Sequence, residues 1–182
     1  MHQLLRNIHK FDIESDIEKS VLVSELCRNI EDSGYKVVEL NDQKPWGAYI
    51  RIDSTQADEF VNEFFPGLTP IQARLGVEAA ELSPKILIVA PGQRLSWQYH
   101  NRRAERWAFL TDGHYHKSAS DEQGNPIAVT AGHVIQFAKG ERHRLAGMKD
   151  TYTIVAEIWQ HTDKNDLSNE DDIIRLADDY DR

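Results

Sequence analysis

From about Ile71 to Gln160 the chain is a succession of short apolar or alternating runs, each cut off by turn chemistry. That punctuation limits the possible folds more than any other feature. Ile86–Ala90 ends at Pro91-Gly92, Leu95–His100 at Asn101-Arg102, and Arg106–Leu110 at Asp112-Gly113. Further runs fall at His114–Ser118, Ile127–Val129, His133–Phe137, His143–Ala146 and Tyr152–Gln160. Runs this short are strands, and regular strands separated by Gly, Pro and Asp turns build a sandwich or a small barrel.

The first third reads differently. Ser15 with Glu18 resembles a capping box, and Ile17, Val21, Leu22, Leu26 and Ile30 then recur at helical spacing until Ser33-Gly34. A helix over about 15–32 is expected, with Cys27 as a small packed side chain beside its apolar stripe. Tyr35–Leu40 reads as a strand, Lys44-Pro45-Trp46-Gly47 as a turn, and Ala48–Ile52 as a second strand. Thr55–Phe65 reads as a helix with Phe60, Phe64 and Phe65 to one side, stopped by Pro66-Gly67. The acidic end of the chain is expected to carry a short helix around Asp171–Leu176, packed back on the barrel.

A length of 182 residues suits one domain with an extension. The net charge of -9 gives no bulk attraction for nucleic acid or an anionic membrane. A single cysteine excludes an internal disulfide and a thiolate-rich zinc site. The N-terminus lacks the apolar segment of a signal peptide, and Ile86–Ala90, the longest apolar run, is too short to span a bilayer. A cytoplasmic protein is expected.

Four residues carry the chemistry. Gln98 and His100 are two apart and share a face of their strand. Glu105 from the next strand and His143 from a later one would complete a four-ligand pocket inside a small barrel, and such N and O ligands suit a divalent metal. His114 and His116 form a second His-x-His pair but have no third partner at matching distance, and read as an ordinary solvated strand. Trp97 and Trp107 read as barrel-wall packing and Trp46 as packing at the barrel end.

These residues resemble the two motifs of the cupin superfamily. Gly92, five residues, Gln98, one residue, His100, four residues and Glu105 fit the first, with its turn glycine one place late at Gly113. Gly132, Ala138, Gly140 and His143 fit the second, with Ala138 in place of proline and Gly147 in place of a frequent asparagine. Pro91-Gly92, Leu95-Ser96, Gln98, His100, Arg103-Ala104-Glu105 and Trp107, the Lys44–Gly47 segment and the acidic Glu170–Tyr180 stretch are similar, more narrowly, to type II mannose-6-phosphate isomerases. In that family the domain commonly follows a mannose-1-phosphate guanylyltransferase domain. Nothing in these residues resembles the latter, so guanylyl transfer is not expected.

The resemblance implies a mainly β fold, a cupin double-stranded β-helix (jelly-roll barrel) over residues 44–182, with an N-terminal helical extension over residues 1–43. It implies an aldose–ketose isomerase interconverting mannose 6-phosphate and fructose 6-phosphate through an enediol. One divalent metal, zinc first with iron, manganese or nickel also fitting, would be held by Gln98, His100, Glu105 and His143. Glu105 and Arg103 are the catalytic candidates. Arg103, Arg142 and Lys85 are the substrate-binding candidates, ahead of Arg102 and Arg144. The expected partners are a small sugar phosphate and a second copy of the chain in a homodimer. The competing readings are a non-catalytic sugar or sugar-phosphate binding cupin, and another cupin enzyme such as an oxygenase or epimerase.

Overall fold

A computed structural model describes residues 8–78 and 80–181. Eleven strands form two antiparallel sheets among these residues. In chain order they are β1 (Val37–Lys44), β2 (Gly47–Ile52), β3 (Lys85–Val89), β4 (Trp97–Tyr99), β5 (Arg103–Phe109), β6 (Gly113–Ser118), β7 (Ile127–Val129), β8 (Val134–Phe137), β9 (Arg142–Ala146), β10 (Thr153–His161) and β11 (Ile174–Ala177). One sheet has the order β1-β2-β3-β10-β5-β8 and the other β11-β4-β9-β6-β7. The helices are α1 (Lys19–Asp32), α2 (Ala57–Phe64) and the single turn α3 (Pro70–Ala73).

The unbroken apolar runs follow from the larger sheet being covered on both faces. Side chains alternate across a strand. In β3, Ile86 and Ile88 therefore join one cluster while Leu87 and Val89 join another. In β10, Ile154, Ala156 and Ile158 fall on the first side and Val155 on the second. The first cluster takes its other half from α1 and α2, through Leu22, Leu26, Ile30, Phe60 and Phe64. The second is the barrel interior, with Trp107, Phe109, Phe137 and Leu145. Each of the Val, Leu, Ile and Phe side chains among them is worth roughly 1.5–3 kcal/mol when fully buried. The N-terminal segment is thus one wall of a shared core.

Three local expectations are corrected. The first helix starts at Lys19 rather than near Ser15, because Glu14 bridges Thr151 and the Ser15 amide donates to the Asp150 carbonyl at 2.9 Å. Val21 faces solvent, and Val23 is buried in the stripe beside Leu22, Leu26 and Ile30. The acidic tail forms β11 rather than a helix. It pairs antiparallel with β4, placing Ile174 beside Tyr99 and Arg175 beside Gln98. The open backbone edge of β4 offers these residues hydrogen bonds that outweigh a weak local helical preference.

The Lys44–Gly47 segment turns between β1 and β2. Gly47 has φ +151°, and a Cβ there would lie 1.9 Å from the Ile88 carbonyl oxygen. Backbone cannot move aside as a side chain can. Gly47→Ala should therefore cost about 3 kcal/mol or more and lower the thermal midpoint sharply, as read by calorimetry or circular dichroism. An unchanged melt would show that the hairpin relaxes freely.

Candidate functional site

His100, Glu105 and His143 come together inside the barrel, with ligand atoms from all three within 4.8 Å of one another. All three are buried, at 1%, 2% and 1% exposure. They form the one such cluster of His, Cys, Asp or Glu found among the described residues. The strands explain the meeting. His100 directly follows β4, Glu105 lies on β5 and His143 on β9, opposite Gln98 in register.

Each imidazole is oriented from behind. His100 Nδ1 lies 2.5 Å from the Asp172 carbonyl oxygen and His143 Nδ1 lies 2.9 Å from that of Glu141. A carbonyl only accepts, so both Nδ1 atoms carry protons, and in the tautomer protonated there alone each ring aims an Nε2 lone pair inward. There they meet a carboxylate: His100 Nε2 is 3.0 Å from Glu105 Oε1, and His143 Nε2 is 3.3 Å from Oε2. Glu105 Oε2 and His143 Nε2 are fully enclosed and make no hydrogen bond. Unpaired buried acceptors facing one another are costly, and a cation between them removes the cost. These residues therefore fit a divalent metal.

Gln98 stands at the same cavity, but its Oε1 accepts from Ser96 Oγ at 2.5 Å. Arg103 is buried behind the cluster. Its Nε donates to Glu105 Oε1 at 2.9 Å, its Nη1 to Ser168 Oγ and the Asn169 carbonyl, and its plane lies 3.8 Å from the Trp159 ring centre. Burial works to raise the Glu105 pKa, but the two imidazoles at its oxygens, His100 foremost, and the Arg103 guanidinium outweigh it. The carboxyl is held well below its usual range.

Glu105 also forms part of a cavity of about 130 Å³ that contains Lys85, Trp46, Trp159 and Glu157. Lys85 Nζ donates to Glu170 at 2.9 Å and sits 4.0 Å over Trp159. Of the other cations expected near substrate, Arg142 pairs with Asp121 and stacks over Tyr99, Arg144 pairs with Asp179, and Arg102 donates to Leu167 and Asn169. None of these three lines this cavity. His116 is turned to the Gly124 carbonyl, and His114 shares no ligand cluster with it.

Sequence reasoning missed Lys44 and Arg175, which line the cavity, and Glu157. Glu157 had a readable signal, being a lone carboxylate in the otherwise apolar run Ile154–Trp159. Its Oε2 accepts from Trp107 Nε1 at 2.9 Å. Burial and the Glu105 charge push its pKa up to about 7, against the opposing pull of Lys85, Arg103 and that hydrogen bond.

The mannose-6-phosphate isomerase C-terminal family profile matches residues 76–178, more than half the chain, including the segments that carry His100, Glu105 and His143. The chain belongs to this family. Its architecture is the double-stranded β-helix of the cupins. Among solved structures, the capsular polysaccharide assembling protein CapF from Staphylococcus aureus is similar at 14% identity, with TM-score 0.50 over 80% of this chain and 34% of that one. CapF with the inhibitor 3-isopropenyl-tropolone gives 12% identity and TM-score 0.51, over 96% and 45%. Likeness at this identity shows the fold, and the chain spans less than half the length of CapF. No curated protein sequence matches significantly. No helix among the described residues is long and apolar enough to cross a membrane.

The isomerase-family cluster depends on the tail. The Asp172 carboxylate accepts from the amides of Asn101 and Arg102 and from Ser168 Oγ, at 2.8, 3.0 and 2.7 Å. Burial raises its pKa, but these bonds and Arg103 more than compensate, leaving it lowered from 3.8. A lowered folded-state pKa means that the stabilisation is present above the unfolded value and is lost as pH falls through the folded one. Asp172→Ala should cost about 2–3 kcal/mol at pH 7, with the gap to wild type closing below about pH 4. Denaturant melts at pH 7 and pH 3 check this. An equal gap at both would place the effect elsewhere.

Proposed function

We propose that the protein is a metal-dependent sugar-phosphate isomerase, most simply interconverting mannose 6-phosphate and fructose 6-phosphate. The observation that carries this reading is the set of enclosed, unpaired acceptors, Glu105 Oε2 and His143 Nε2, beside a cationic cavity in a chain of this family. His100, Glu105 and His143 would hold the ion, with the Gln98 amide oxygen as a fourth donor. This donor set suits zinc first, with iron, manganese or nickel also fitting. When bound, a divalent ion supplies electrophilic stabilisation to the sugar oxygens that gain charge as an enediol forms.

The chain's own residues supply the rest. Lys85, with Lys44 and Arg175 nearer the mouth, offers positive charge to a phosphorylated ligand. Trp46, Leu87 and Leu95 give the cavity apolar walls against which a sugar's C–H face packs and from which water is displaced. Arg103 fixes the Glu105 carboxylate from behind, which is a positioning role.

The test is elemental analysis of purified protein, then conversion of mannose 6-phosphate to fructose 6-phosphate by the metal-loaded chain. About one metal per chain and measurable turnover are expected. His143→Ala should lose the metal and the turnover together. Lys85→Gln should keep the metal and raise KM roughly tenfold, or ~1.4 kcal/mol, with kcat less affected. Absence of turnover on any common hexose phosphate at full metal occupancy overturns the reading. Thermal stabilisation by the sugar phosphate without product would then favour a binding module.

A further inference from the structure

An aldose–ketose isomerase must move a proton between adjacent carbons, and the carboxylate of the metal cluster is poorly placed to do it. Glu105 Oε1 accepts from Arg103 and lies 3.0 Å from His100 Nε2, and Oε2 faces His143. A group so committed as a ligand has no free basic oxygen. Two other carboxylates line the cavity. Glu170 is tied to Lys85 and its side chain is 70% exposed. Glu157 is 7% exposed, and its Oε2 is fixed by Trp107 while its Oε1 has no hydrogen bond among the described residues.

The strand geometry aims Glu157 at this space. It alternates with Val155 and Trp159 on the barrel side of β10, and Trp159 lines the same cavity. Its register partner on β3 is Lys85 and on β5 is Trp107. Indole donation to one oxygen fixes the carboxyl plane and leaves the second oxygen for a ligand. The charged groups that share its cavity are Lys44 from β1, Lys85 from β3, Arg103 and Glu105 from β5, Glu170 from the tail and Arg175 from β11.

We propose that Glu157 is the proton-transfer residue of this cavity, carrying a proton between carbon 2 and carbon 1 of a bound sugar phosphate. The assignment rests on the isomerase reading above. In the aldose-to-ketose direction the C2–H bond breaks and its proton goes to Glu157 Oε1. The released electron pair forms the C1=C2 bond of the enediol, and the C1 oxygen receives the proton given up by the C2 hydroxyl. Glu157 then returns its proton to carbon 1 as the C2 carbonyl forms. No oxidant or second substrate is consumed. With one oxygen held by Trp107 and the carboxyl lining the cavity, Glu157 is placed to take a proton and give it back.

The experiment follows hydrogen exchange by proton NMR, using the full metal-loaded chain with mannose 6-phosphate in D2O. Wild type should incorporate deuterium at the transferred position. Glu157→Gln keeps an acceptor for Trp107 and should retain the metal and bind the sugar phosphate within about twofold. Its exchange should fall by roughly a hundredfold or more. If Glu157→Gln does not accumulate folded, Glu157→Asp keeps the carboxyl one methylene short and should lose at least about tenfold in exchange with binding kept. Exchange by either folded variant at the wild-type rate overturns the assignment and leaves the isomerase reading standing. A wild type that binds the sugar phosphate but neither exchanges nor converts it removes the isomerase reading, and this role of Glu157 falls with it.

Discussion

The structure turns on one buried charge. Glu105 is 2% exposed, and a carboxylate kept from water must be compensated from within. Its compensators then need anchors of their own. Arg103 is anchored by Ser168 and Asn169, His100 by the Asp172 carbonyl, and His143 by that of Glu141. Three of those four anchors lie in the C-terminal tail. The demand for compensation therefore reaches from the barrel centre to a segment more than 60 residues away and closes it over β4. Asp172 does two jobs here, since its side chain caps the turn after β4 while its main chain orients the histidine at the start of that turn.

The larger sheet serves two masters. Its outward residues bury against α1 and α2, and its inward residues line the barrel. The helices make the sheet rigid, because a strand packed on both faces has little room to shift. That rigidity lets β10 present Val155, Glu157 and Trp159 to the interior at fixed spacing, and lets β3 set Lys85 beside Glu157. Lys85 and Glu157 interrupt an otherwise apolar wall, and both line the cavity.

Much of this was legible in residue order. The strand runs between Ile86 and Gln160, the Gln98-x-His100 pair, and the later His143 all lie where period and turn chemistry place them. The tail was misread because its pairing partner is remote. Nothing local in Asp171-Asp172-Ile173-Ile174 tells of the free edge of β4. Ser15 and Glu18 looked like a cap for a similar reason, since the pairing of Glu14 with Thr151 draws that segment away from the helix. Arg103 has the residue type of a ligand-binding arginine and lines the cavity, and only packing shows that it also holds Glu105, Ser168 and Asn169.

The sequence alone determined the fold class and marked out His100, Glu105 and His143, because strand periodicity and turn chemistry are local properties. Tertiary structure decided which buried polar groups remain available. It turned both imidazoles by their Nδ1 protons, left Glu105 Oε2 and His143 Nε2 facing without a hydrogen bond, and gave Glu157 one engaged oxygen and one open to the cavity. Those outcomes depend on partners brought together by closure of the barrel. Hydrogen-bond capacity is counted in space, and spacing along the chain does not record it.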